Sequence, residues 1–190
     1  MTEKLQLIVI GGANGSGKTT FAREIAAEKK LKYLGADDIA AKLNPSAPEN
    51  SAIEAARLFS SRLNESLRAG ESLIVESTLS GLSLKKFFAL ARENDFIVSV
   101  FFVFLDSPEL CIQRIAARVA KGGHNIPDAD VRRRFTRANI NFERIYKDLA
   151  DDWFLIFNAG DSFEQVANGD ANGVIIFDEA RYQQWQATIK

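Results

Sequence analysis

The chain has 190 residues, 46% of them apolar and 26% charged, a globular balance that excludes a disordered or fibrous protein. One cysteine, Cys111, and one histidine, His124, exclude an internal disulfide and a Cys/His zinc cluster. A net charge of -1 offers no global field to nucleic acid or to an anionic membrane. No apolar run reaches about 18 residues and no signal peptide is visible, so a soluble, cytoplasmic protein is expected.

Residues 5–10 form a short β-branched run closed by Gly11 and Gly12, the pattern of a buried parallel strand. Residues 19–30 set Phe21 and Ile25 among charges and predict an amphipathic helix ending on cations. A weak strand at 32–34 precedes a short helix at 37–43. Pro45 and Pro48 then interrupt the chain before a helix at about 51–69, closed by Gly70. Residues 72–75 predict the next buried strand and 82–92 a helix. The most apolar strand, 96–105, holds Phe101, Phe102 and Phe104 and is expected at the centre of the sheet.

Ser107 and Pro108 start a helix running to about residue 121, which Gly122 and Gly123 stop. Residues 128–149 carry Val131, Phe135, Ala138, Phe142, Ile145 and Leu149 at three-four spacing, which predicts one long packed helix. Strands at 153–157 and 174–177 follow, separated by a connection rich in Asn and Gly that reads as turns. Strands alternating with helices predict a three-layer α/β fold with a mostly parallel sheet and ligands at the carboxyl ends of the strands. One domain over 1–190 is expected, with a lid-like helical region at about 108–149 hinged on the double glycine.

Residues 12–19, Gly12-Ala-Asn-Gly-Ser-Gly17-Lys18-Thr19, match the phosphate-binding loop G-x-x-x-x-G-K-[ST] between a predicted strand and a predicted helix. Gly12, Gly15 and Gly17 let backbone N–H groups turn inward around an anion, with Asn14, Ser16 and Thr20 completing the loop and its exit. Lys18 reaches the terminal phosphates of ATP, and the Thr19 hydroxyl ligates the bridging Mg2+. A dinucleotide-binding glycine pattern fails, because Thr20 stands where its third glycine belongs. No Asn-Lys-x-Asp guanine reader follows, so ATP is expected over GTP, with the loop at 158–161 beside the base.

A kinase needs a base and mobile cations. Asp37 and Asp38 both follow the second strand, and either could accept a proton from an acceptor hydroxyl, although aspartates at helix starts also cap N–H groups. Glu76 ends the third strand, a candidate for holding substrate or magnesium-bound water. Asp106 ends the fourth, where helix entry competes with a metal-organising role. Arg114 and Arg118 share a helical face, and Arg132, Arg133, Arg134 and Arg137 follow the double glycine; Arg134 and Asn141 border the buried stripe of their helix. His124 is assigned no chemistry.

Taken together, these residues resemble the zeta-toxin-like family of P-loop kinases from the first strand to about Asn158. The motifs are the phosphate loop, Ala36-Asp-Asp-Ile-Ala40, Glu76-Ser-Thr-Leu-Ser-Gly81, Gly122-Gly-His-Asn-Ile-Pro127 and Arg134-Phe-Thr-Arg137. By that resemblance Asp37 is the catalytic base, Arg118 and Arg134 neutralise the γ-phosphate, and Glu76 and Thr78 line the acceptor pocket. Gly35 departs from the family, which often has Asn there. The resemblance implies ATP, Mg2+ and a small-molecule hydroxyl acceptor, a UDP-amino sugar among them, with an antitoxin protein as a candidate partner. Two other readings compete: a nucleotide-binding regulator with little turnover, which has no need of Asp37, and a kinase of nucleic-acid ends, which the acidic pI of about 5.9 opposes.

Overall fold

The computed structural model of the chain describes residues 4–123 and 125–189, so His124 lies outside the described residues. Strand β1 (Gln6–Gly11) leads into α1 (Lys18–Lys29), β2 (Lys32–Gly35) into α2 (Ala36–Leu43), and a 3-10 turn at Pro48–Ser51 into α3 (Ala52–Arg68). Then come β3 (Leu73–Glu76), α4 (Lys85–Glu93), β4 (Ile97–Phe104), α5 (Pro108–Val119) and α6 (Asp128–Asn141). Strands β5 (Asp152–Asn158), β6 (Phe163–Asp170) and β7 (Gly173–Ile176), and helix α7 (Glu179–Ala187), finish the chain. No helix among the described residues is long and apolar enough to cross a membrane.

The sheet order is β2-β3-β1-β4-β5-β6-β7, with the first five strands parallel, β6 antiparallel to β5 and β7 antiparallel to β6. Phe-rich β4 takes the middle place, where Val98, Val100, Phe102 and Val103 are buried. Alternation along the strands makes two unlike faces. One carries Ile8, Ile10, Ile74 and Ile156 against Phe21 and Ala22 of α1. The other carries Val9, Leu73, Val75, Val100, Phe102 and Leu155 against apolar residues of α2, α3, α4, α6 and α7. The result is three layers, as a mostly parallel sheet demands.

Three features depart from the sequence reading. The connection read as turns contains β6, antiparallel to β5 with a bulge at Leu155/Ile156. Its glycine is a packing device: a Cβ on Gly169 would stand 2.6 Å from the Trp153 ring, so the bare backbone makes room for the indole. The helix read as continuous over 128–149 carries a π turn at Phe142–Tyr146. That turn advances the buried face by one residue, so Tyr146 is buried where Ile145 was expected, and Ile145 is half-exposed. Finally, α7 was not anticipated; Asp178 caps it, accepting a hydrogen bond from the Arg181 amide at 2.9 Å, and Trp185 drives it into the core.

Trp185 meets the rings of Phe102, Phe104, Phe142 and Tyr182. Beside it Lys147 lies over Trp153, 4.0 Å from the ring centroid, and pairs with Glu143 at 2.5 Å; burial pushes the lysine's pKa down. Trp185→Ala therefore leaves a large cavity in the main core and should destabilise the protein by about 3–5 kcal/mol, read from urea unfolding.

Candidate active site

Three strand ends converge because the register aligns them: Gly35 pairs with Glu76, and Glu76 with Ile10. Between β1 and α1 the loop turns with Gly15 and Gly17 at φ 81° and 99°. A Cβ on Gly15 would stand 2.5 Å from the Cys111 carbonyl, and one on Gly17 2.1 Å from the Asn158 amide nitrogen, so no side chain fits at either place. Gly17 is also the N-cap of α1 and brings no capping side chain, whereas Ser107 caps α5. The first amides of α1 are thus left for an external acceptor, and Ser16 Oγ is buried within the same loop without a hydrogen-bond partner among the described residues. This cradle fits a phosphate chain.

Lys18 is buried; its Nζ donates to the Ala13 carbonyl at 2.8 Å and stands 3.8 Å from Glu76 Oε1. The Thr19 hydroxyl donates to that same Oε1 at 3.1 Å, and the Tyr33 hydroxyl donates to Oε2 at 2.7 Å. Thr19 and Glu76 supply the oxygen atoms that suit Mg2+ next to phosphate. On α2 the two aspartates part company. Asp38 is clamped by Arg23, whose Nη2 lies 3.1 Å from both its oxygens, while Asp37 lines the cleft and its side chain makes no hydrogen bond or ion pair among the described residues.

The loop residues border three adjoining cavities. The first, about 170 Å³, is lined by the phosphate loop, Thr20, Asp37, Glu76, Arg114 and Arg118. The second, about 400 Å³, continues past Asn14, Lys18, Asp37, Glu76 and Thr78 to Phe59 and Phe87, with Arg134 on its wall. The third, about 540 Å³, lies on the other side of Gly15 and Gly17, against Arg114, Asn158, Gly160 and Asp161. Helix α6 holds this arrangement together: Arg134 Nη1 donates to Asn14 Oδ1 at 3.3 Å and Asn141 Nδ2 to the Leu79 carbonyl at 2.8 Å. At the end of the π turn, the Tyr146 hydroxyl donates to the Gly81 carbonyl at 2.7 Å.

The residues expected at the site, Gly12, Asn14, Gly15, Ser16, Gly17, Lys18, Thr19, Thr20, Asp37, Glu76, Thr78, Arg118 and Arg134, thus lie on one cleft or the loop that forms it. Others fall away from it. Asp106 is exposed and lines none of the three cavities, Arg132 pairs with Glu109, and Arg133 pairs with Asp130 at 2.8 Å. Cys111 backs the loop, and burial pushes its thiol up to about 11, out of nucleophilic range. Tyr33 and Arg114 carry more of the site than their sequence context announces. Arg114 sits where the first and third cavities meet, a position its four-residue spacing from Arg118 could have suggested; Tyr33 stands in a weak strand and carries no such signal.

The profile of the AAA domain family matches residues 7–139. The chain belongs to this family. A cytidylate kinase of Archaeoglobus fulgidus is 32% identical over 187 residues, covering 88% of this chain and 89% of its own. Among solved structures, the AvrRxo1-ORF1:-ORF2 complex with ATP superposes with a TM-score of 0.78 at 17% identity, over 98% of this chain and 65% of that one. The PezAT toxin-antitoxin system of Streptococcus pneumoniae gives 0.67 at 15% identity, over 98% and 85%. The fold is that of the P-loop kinases, and the relatives support a kinase.

Asn158 joins the last parallel strand to the phosphate loop: its buried Nδ2 donates to the Ser16 carbonyl at 2.8 Å, and its Oδ1 accepts from the Gly160 amide at 2.9 Å. Asn158→Ala removes both bonds from a buried position. It should cost about 1–3 kcal/mol in urea unfolding and weaken nucleotide affinity in calorimetry.

Proposed function

We propose that the protein is an ATP-dependent kinase transferring a phosphoryl group to a hydroxyl of a small molecule. The observation that carries this reading is Asp37, which lines both the phosphate cavity and the adjoining second cavity together with Lys18 and Glu76. A proton acceptor at that junction lies between donor and acceptor sites, where general-base catalysis requires it.

In this reading the triphosphate of ATP lies on the loop amides and the start of α1, with Lys18 against the transferring group. Arg118 from α5 and Arg134 from α6 flank it, their planar guanidinium groups neutralising charge on the phosphoryl oxygens. Thr19 and Glu76 hold Mg2+, which when bound screens the charge of the terminal phosphates. Asp37 takes the proton of the acceptor hydroxyl as its oxygen bonds to the γ-phosphorus; the bond to the bridging oxygen breaks and ADP leaves. The third cavity takes the base, with Arg114 at its junction with the phosphates.

An aspartate on the second cavity suits a hydroxyl acceptor, which must lose its proton as it is phosphorylated. The same cavity carries the cations Lys18 and Arg134 beside the carboxylates Asp37 and Glu76, with Lys18 Nζ 3.8 Å from Glu76 Oε1. The rest of the wall, including Phe59, Ser60, Leu84 and Phe87, mixes apolar and hydroxyl side chains. The resemblance to zeta-toxin-like kinases makes a UDP-activated amino sugar the first acceptor to test, and that resemblance together with the PezAT fold makes an antitoxin protein the first partner.

Calorimetry with ATP and Mg2+, alongside transfer of labelled phosphate to that sugar or to a metabolite extract, tests the reading. Lys18→Ala should lose nucleotide binding while keeping the fold. Asp37→Asn should keep ATP binding and lose transfer by about 10² to 10⁴, roughly 3 to 5 kcal/mol of barrier, with Asp38→Asn close to wild type. Equal transfer by the two aspartate variants overturns the base assignment, and ATP binding without transfer to any acceptor favours the regulator.

A further inference from the structure

Glu76 is held from two sides, and only one of them is part of the phosphate loop. In the parallel register Gly35 of β2 stands directly beside Glu76 of β3, and Tyr33, two residues earlier, shares Gly35's face of the sheet. A Cβ on residue 35 would stand 2.4 Å from the Tyr33 hydroxyl oxygen, so the glycine leaves the space that the phenol occupies. The backbone there has φ -127° and ψ 136°, which any residue adopts. The side-chain-free position thus answers to Tyr33, not to a turn. From this space the hydroxyl donates to Glu76 Oε2 at 2.7 Å, leaving Oε1 to the Thr19 hydroxyl at 3.1 Å.

Resting on the kinase reading above, we propose that Tyr33 is a positioning residue, seated by Gly35, that locks the Glu76 carboxylate so that the Thr19 hydroxyl keeps its lone pairs toward Mg2+. The hydroxyl of Thr19 has one hydrogen and two lone pairs. While its hydrogen is committed to Oε1, a lone pair is free for the metal. A carboxylate free to rotate offers that acceptor only part of the time, and Tyr33 removes the freedom by taking the second oxygen. Tyr33 touches neither substrate nor metal. It acts through Glu76, in the way that partners outside the ligand shell orient metal ligands.

The inference is tested by calorimetric titration of ATP at a series of Mg2+ concentrations and in chelator, on the wild type and on Tyr33→Phe, Gly35→Ala and the double variant. Tyr33→Phe should raise the Mg2+ concentration needed for half-maximal gain in ATP affinity by about 3- to 10-fold, with affinity in chelator unchanged. Gly35→Ala should shift it in the same direction by displacing the hydroxyl, and the double variant should be no worse than Tyr33→Phe alone, since the hydroxyl is then already gone and only the ring edge, whose Cζ stands 3.0 Å from the added methyl, has to shift. A purely structural tyrosine would lower the melting temperature and leave the Mg2+ dependence where it was. An unchanged Mg2+ requirement in Tyr33→Phe, or additive shifts in the double variant, overturns the proposal while the kinase reading stands. A wild type that binds no ATP at any Mg2+ concentration overturns both.

Discussion

The carboxylate of Glu76 is the junction on which the site depends. It ends a buried strand, where an ionised group is costly unless donors surround it. Its donors come from elements distant in sequence: Thr19 and Lys18 at the start of α1, and Tyr33 on β2. Satisfying one buried charge therefore fixes the phosphate loop against the β2–β3 edge of the sheet. The same contact that makes the carboxylate tolerable sets the loop's lysine and threonine in place.

The layers around the sheet give that junction its walls. One helix, α1, covers the face toward which Ile8, Ile10 and Ile74 point, so its N-terminus can sit directly over the end of β1. Helices from the opposite face have to reach around the strand ends to take part, and α6 does so through side chains. Arg134 reaches Asn14, Asn141 reaches Leu79, and Tyr146 reaches Gly81. The last of these depends on the π turn, which brings Tyr146 to the buried side of its helix. A local irregularity in helix geometry thereby anchors the 77–81 loop that walls the second cavity. Leu79 in that loop holds φ 54°, uncommon for a side chain of its size, and its carbonyl is the one that Asn141 binds.

Local patterns made much of this legible. The glycine spacing of the phosphate loop, the β-branched run before it and the Phe-rich strand each depend on neighbours in sequence, and the structure places all three where those patterns lead. What escaped depends on partners far along the chain. Gly169 reads as a turn residue until Trp153 is laid across it, and β6 is hidden with it. Helix α7 has weak amphipathic contrast, because its hold on the core is concentrated in Tyr182 and Trp185. Tyr33 sits in a short strand, and its hydrogen-bond partner Glu76 lies 43 residues away and meets it through the register of β2 with β3.

Glu76, Asp38 and Asp37 are the three carboxylates that β3 and the first turn of α2 bring to the phosphate-loop side of the sheet, and their surroundings divide the work among them. Glu76 accepts a hydrogen bond on each of its oxygens, and both oxygens of Asp38 face the Nη2 of Arg23, so neither carboxylate has an oxygen without a donor. A general base needs the opposite condition: an oxygen free to take a proton and close enough to the reacting group to do so. Of the three, only Asp37 combines an unengaged side chain with a place on both cavities. The clamp on Asp38 contributes to that freedom. By tying the first turn of α2 to α1, the Arg23–Asp38 pair adds to the core packing of Ile39 and Ala40, which seats the helix that carries Asp37.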